Sequence, residues 1–419
     1  MNGVPYWERF NSSLESLAGK AAHQPTMSKP PILQEPPDFS LVLGGPLYQI
    51  YRRTHLSGPT LELLQRRVLV ISLSAWLPLG VLAAIEGHLL GGQGLTFLGD
   101  IESHVRFIVA LPLLIIAELV VHSRLRPVIK LFVERGIVAS DEMPRFNAAL
   151  EAALRARNSL WLELALLLFV YIVGHLFWQH QVALEAATWY AKPDGSGIHL
   201  TLAGYWFSFV SIPIFQFVLL RWYLRLGIWF LFLWRTSRLK LRLLPTHPDR
   251  SGGIGFLGGS SYAFAPILFA QGTLLAGLIA SRIFYQGQTL MSFRVSVITL
   301  TGFFVLMVLG PLTIFTPQLS RTRLSGLGEY GTLATTYVAN FDEKWIRGGP
   351  KGKLLGTTDI QSLADLANSY AVVGEMRQVP FTLKDMVRLA VATVLPVLPL
   401  LLTIMPLEEL LTRLVKIIF

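Results

Sequence analysis

Four ionisable residues lie in apolar surroundings. Arg221 and Arg225 interrupt the run Thr201–Trp234, and Glu118 and Glu163 interrupt the runs Val105–Val121 and Leu160–Trp178. A charge deep in a bilayer costs several kcal/mol unless it is paired or hydrated. Arg221 and Arg225 are four apart, so they sit one turn apart on one helix face. Two guanidiniums and two carboxylates at similar depth can neutralise one another, bind an anion, or form gating ion pairs in a pore. The competing reading is that they lie near helix ends, snorkel to the headgroups and only anchor the spans. A second layer, towards the opposite face, holds Glu86, His88, Arg106, His175 and Arg282. Most of these are expected at headgroup depth, with His175 deeper as a hydrogen-bonded packing residue.

The most distinctive local string is Thr246-His-Pro-Asp-Arg-Ser-Gly-Gly253. Pro248 fixes a turn, and Gly252 and Gly253 permit left-handed backbone. His247, Asp249 and Arg250 offer a base, a carboxylate and a phosphate-pairing fork, a set that could hold a phosphate or a lipid headgroup. The same residues also make an ordinary structural elbow. No Walker loop, His-Glu-x-x-His spacing or Ser-His-Asp order occurs, and there are no cysteines. No metal, cofactor or catalytic residue is therefore expected.

Composition determines what positions these residues. Hydrophobic residues make up 52% and charged residues 15%, with a mean hydropathy of +0.51. That exceeds what one soluble core needs and predicts an all-α polytopic transmembrane bundle. Seven spans are expected, at Val68–Leu90, Val105–Val121, Leu160–Trp178, Thr201–Arg221, Tyr262–Ile283, Val295–Phe315 and Val387–Ile404. The formal net charge of +10 comes mostly from residues flanking these runs. It points to anionic lipid headgroups and to orientation in the membrane, and not to nucleic acid.

Lysines and arginines concentrate in alternate loops, which predicts a cytoplasmic N-terminus. Residues 1–66 read as a cytoplasmic tail, partly disordered, with prolines and no signal-peptide pattern in Met1–Leu41. Residues 67–325 carry six spans, with cytoplasmic helical insertions at 128–159 and 235–261. The second insertion is expected to be a basic stalk that carries the His-Pro-Asp-Arg loop away from the bilayer. Residues 326–385 form a cytoplasmic helical segment, turning at Gly348–Lys353. Together with 128–159 it would make a small helical layer beneath the membrane. Residues 386–419 hold a last span or re-entrant segment, broken by Pro396 and Pro399, and an amphipathic end.

The string His247–Leu257, the segment Asp359-Ile-Gln-Ser-Leu-Ala-Asp-Leu366 and the ending Leu398-Pro-Leu-Leu-Leu-Thr403 resemble a group of uncharacterised bacterial multi-pass membrane proteins. The resemblance covers most of the second half and implies a bacterial cytoplasmic (inner) membrane. It implies no activity.

Three functions fit these residues. The first is a channel or transporter with a modest preference for an anionic permeant, its pore formed within one chain or in a homo-oligomer; it requires water-filled access to Arg221, Arg225 or Glu118. The second is an enzyme acting on a lipid or lipid-linked phosphate, which needs a pocket where His247 and Asp249 converge. The third is a sensor or scaffold recruiting a cytoplasmic partner, which needs an exposed apolar groove on Gly326–Phe381 and neither of the other features.

Overall fold

The computed structural model describes residues 39–56, 63–91, 94–174, 188–194, 197–348 and 357–403. Their helices are α1 (Pro46–Arg53), α2 (Leu64–Ile85), α3 (Ile101–Glu134), α4 (Ser140–Arg157), α5 (Leu160–Gly174), α6 (Leu202–Thr236), α7 (Phe256–Gln286), α8 (Leu290–Arg347), α9 (Thr358–Gly374) and α10 (Leu383–Thr403). A small antiparallel ladder, β1 (Ala191–Asp194) and β2 (Gly197–Leu200), precedes α6. Helices α2, α3, α6, α7, α8 and α10 are each long and apolar enough to cross a bilayer. The α4–α5 pair, bent by 46°, makes a seventh candidate. The chain is a multi-pass, all-α membrane protein.

The two faces of α2 show why the sequence folds this way. Leu69, Leu73, Leu77 and Val81 are exposed at a four-residue spacing, while Ser72, Ala75, Leu79 and Ala83 are buried on the other side. An exposed leucine stripe of this length is a lipid-facing surface, and the small residues opposite let helices approach. Helix α7 is the central element: 67% of its apolar window is buried, against α3 and α10 among others.

Span seven was expected either to cross or to turn back. Its helix α10 runs as α-helix to Val394 and then as a 3-10 helix through both prolines. Its 21 residues rise about 36 Å, enough to cross a core about 30 Å thick. The amphipathic ending Pro406–Phe419, the Gly349–Lys353 part of the expected turn, His175 and the rest of span three lie outside the described residues.

Three expectations change. Residues 39–53 are no loose tail. Phe39, Leu41 and Val42 are fully buried, and Phe39 packs on Trp229 and Phe232 of α6 at ring-centroid distances of 6.2 and 5.7 Å. The expected stalk is also absent. Helix α6 stops at Thr236, and the 235–261 insertion runs on as a non-helical link of turns, with Leu241 bridged to Val138, until α7 begins at Phe256. Side chains satisfy carbonyls at this end of the helix. Thr236 Oγ1 donates to Phe232 O, and Ser237 Oγ to Trp234 O. Gln318 Nε2, from α8, donates to Ser237 O and Leu239 O, both at 2.7 Å. Finally, the helix of span six does not stop at Phe315: α8 continues without a break at Gly326 as far as Arg347. The long projecting helix is therefore α8, against which α9 folds back.

Candidate functional site

The charges expected to meet do meet. Glu118 of α3 is the hub. Its Oε1 lies 2.8 Å from Arg225 Nη2 and 3.6 Å from Arg221 Nη1, both on α6. Arg221 Nη2 reaches Glu163 Oε1 of α5 at 3.1 Å. All four residues are buried, none more than 8% exposed, so plain snorkelling to the headgroups is not what they do. Trp222, between the arginines, donates to Leu114 O at 2.9 Å and presents its ring to the Arg225 guanidinium, 4.7 Å from the centroid.

Two members are not announced by the sequence. Arg67 directly precedes the apolar run Val68–Leu90. Helix α2 in fact starts at Leu64, so Arg67 sits one turn inside it, 1% exposed. Its Nη2 lies 2.8 Å from Glu118 Oε2, while its buried Nε has no hydrogen-bond partner. The other member is α1. Glu163 Oε2 accepts from Leu47 N at 2.8 Å, which places a carboxylate on unsatisfied amides at the helix start. Gly45, the residue before that start, has φ of +89°, and a Cβ there would lie 3.1 Å from Glu163 Oε1. Tyr51 of α1 stacks its ring near Arg67, 5.4 Å from the centroid. Burial pushes its hydroxyl up to about 12, so it stays neutral and adds no negative charge.

Three guanidiniums and two carboxylates thus join α1, α2, α3, α5 and α6, with a net charge of +1. The cavity among them, lined by Tyr51, Arg67, Glu118, Arg221 and Arg225, measures about 10 Å³. That is room for about one water molecule. The arginines face one another and their carboxylates around this small cavity.

The His-Pro-Asp-Arg loop is consumed by its own backbone. Asp249 Oδ1 accepts from Ser251 N at 2.8 Å and Gly253 N at 3.1 Å, and Oδ2 from Gly255 N at 2.8 Å. His247 Nδ1 lies 2.8 Å from Asp249 Oδ1. Arg250, Gly252 and Gly253 take positive φ to close the turn. Arg377, from the link between α9 and α10, then clasps the loop: its Nη2 donates to Asp249 O at 2.7 Å, and its backbone N to Arg250 O at 2.7 Å. Arg250 pairs with Glu375 at the surface. Base, carboxylate and fork all have structural partners, and the loop fastens the α6–α7 link to the α9–α10 link.

Burial alone would raise the Asp249 carboxyl. The amides of Ser251, Gly255 and Gly253, with His247 beside it, hold it below the usual carboxylate range instead. A depressed folded value means stability that is present above the unfolded value, near 3.9, and lost as pH falls through the folded one. Asp249→Ala is expected to cost about 1–3 kcal/mol and to flatten the acid limb of a thermal-melt series below pH 4. Asp249→Asn, which keeps one oxygen acceptor, should lose the acid dependence with a smaller cost.

In the opposite layer, Glu86 accepts from Leu202 N and Ala203 N at 2.9 and 3.3 Å and so caps α6. Arg106 lies over the Phe215 ring. His88 Nε2 is buried with no hydrogen-bond partner. Among the described residues no group of three His, Asp or Glu side chains is arranged to hold a metal. Compared with protein-family models, curated proteins and solved structures, the chain matches none.

Proposed function

We propose that this multi-pass membrane protein is a scaffold, of a bacterial cytoplasmic membrane with its N-terminus inside, that presents the α8–α9 hairpin to a protein partner. The carrying observation is the exposed apolar surface of that hairpin: Leu333, Val338 and Ile346 on α8, and Ile360 and Tyr370 on α9, are each 40–69% exposed. The part of α8 beyond Phe315 would reach about 48 Å past the bilayer as a straight helix, too far to serve as lipid anchoring. Its tip is tied: Asp359 accepts from Lys344 Nζ and Trp345 Nε1 at 2.6 and 3.0 Å, and Asp359 O accepts from Tyr337 OH. Such ties favour a rigid display. The two rival functions have less support, since the arginine cluster is enclosed and His247 and Asp249 are used up in the turn.

A photo-crosslinking residue at Val338 or Ile346, used in cells with the full-length chain, should yield a discrete protein adduct. The same probe at the polar position Glu329 should yield little. Equal labelling at all three positions, or none at any, would remove the scaffold reading.

One observation favours a second reading, passage of an anion. The cluster carries one uncompensated positive charge around a water-sized cavity that Arg67 lines, and the buried Arg67 Nε has no hydrogen-bond partner. Chloride flux into liposomes containing the purified protein, abolished by Arg221→Ala, would establish passage and displace the scaffold. Absence of flux for common anions would dispose of it.

A further inference from the structure

Two cavities lie along α6, one beside α8 and one beside α4. The first, about 380 Å³, is an apolar groove between α6 and α8, with Tyr223, Leu226, Gly227 and Phe230 on one wall and Phe303 and Met307 on the other. Gly227 gives the groove its width: a Cβ there would meet nothing within 4 Å. The second, about 270 Å³, is bounded by Arg145 of α4 and by Trp234, Arg235 and Arg238 at the end of α6. Residues 223, 227, 230 and 234 recur every three or four positions and so share one helix face. Phe230 of the groove and Trp234 of the cleft are one turn apart, a rise of about 6 Å, so the face that lines the groove reaches the basic cleft at Trp234.

The order of surfaces along this face is apolar groove, tryptophan, arginines. Phe303 to Pro311 lie roughly 20–30 Å along α8 from Leu290, in the half of the span nearer the basic end. The Arg238 guanidinium lies over Trp234, 5.4 Å from the ring centroid. Arg235 and Arg238 have no ion pair among the described residues, and Arg145 Nη1 makes two long contacts, both 3.4 Å, to the Glu142 carboxylate. We propose that this face holds one anionic phospholipid of the basic-side leaflet. Its acyl chain lies in the α6–α8 groove, and its phosphodiester is bound by Arg145, Arg235 and Arg238. Guanidiniums pair phosphate oxygens through parallel N–H donors, and tryptophan sits at the headgroup boundary where one side is apolar and the other wet. A soluble phosphate would fill the cleft and leave the groove empty; a lipid fills both. The site is separate from the His247–Arg250 loop and from the scaffold reading.

Native mass spectrometry of the purified full chain in detergent tests this, with phosphatidylglycerol, phosphatidylcholine or inorganic phosphate added. One retained phosphatidylglycerol is expected, about tenfold or more in preference to phosphatidylcholine. The Arg235→Gln/Arg238→Gln double variant should weaken retention about tenfold. Gly227→Leu, which fills the groove and leaves every charge in place, should weaken it by a similar factor. Equal retention of the two lipids, no lipid retained, or full displacement by inorganic phosphate would each overturn the assignment. So would wild-type retention in either variant, since the tail and the headgroup must both be held.

Discussion

Glu118→Gln is expected to destabilise the bundle by about 3–5 kcal/mol, the usual cost of removing one partner from a buried ion pair. The expectation is large because Glu118 serves three guanidiniums at once, each within 3.6 Å. The protein starts with a net charge of +1 in the cluster. Without Glu118, Arg67, Arg221 and Arg225 face Glu163, and the buried charge becomes +2. The glutamine amide fills the volume, so the effect is electrostatic and no cavity confuses it. Thermal unfolding of the purified protein in detergent reads the loss. Arg225→Gln should cost less, because it leaves the cluster neutral. A Glu118→Gln variant as stable as the wild type would mean that the cluster contributes nothing.

The second large effect is expected at Gly272. A Cβ on this residue of α7 would lie 1.9 Å from Thr393 O of α10, which is backbone and cannot rotate away. Gly258, also on α7, is pressed in the same way against Pro380 O, to which its N–H donates at 3.0 Å. These two glycines let α10 lie close to α7 along its length. Gly272→Val must separate the helices, at a cost of about 1–3 kcal/mol or more, and should speed proteolysis of the Met376–Thr382 link. Gly302→Ala, where a Cβ meets nothing within 4 Å, is the control and should be neutral or mildly stabilising. Equal effects at the two positions would contradict the proposed seating of α10.

The contrast between these glycines marks how far the sequence could be read. All of Gly272, Gly277, Gly302 and Gly310 suggest close packing when read along the chain. Only the neighbours in space separate Gly272 from Gly302. The spans were legible because hydropathy is a local property, and Arg221, Arg225, Glu118 and Glu163 were legible because a charge within a span demands a partner. Arg67 was hidden by the start of α2, four residues earlier than the apolar run suggests. The short run Phe39–Leu43 is too brief to span anything, and only the aromatic floor at Trp229 and Phe232 makes it a buried strap. The chain just past Thr236 is tied by Gln318, some eighty positions away, a contact that no local pattern announces. The His247–Arg250 loop displays a chemically rich set of side chains, yet the carboxylate that would do chemistry is held by amides within six residues of itself.

The claim on which the rest stands is that the buried charges of α2, α3, α5 and α6 hold one another. The most direct test adds Arg225→Gln to Glu118→Gln and compares unfolding midpoints of the wild type, both single variants and the double. The double variant returns the cluster to its original net charge of +1. It should therefore recover part of the stability lost in Glu118→Gln alone, a coupling of about 1 kcal/mol or more. A double variant that loses the sum of the two single losses would show that the charges act independently and would contradict the account.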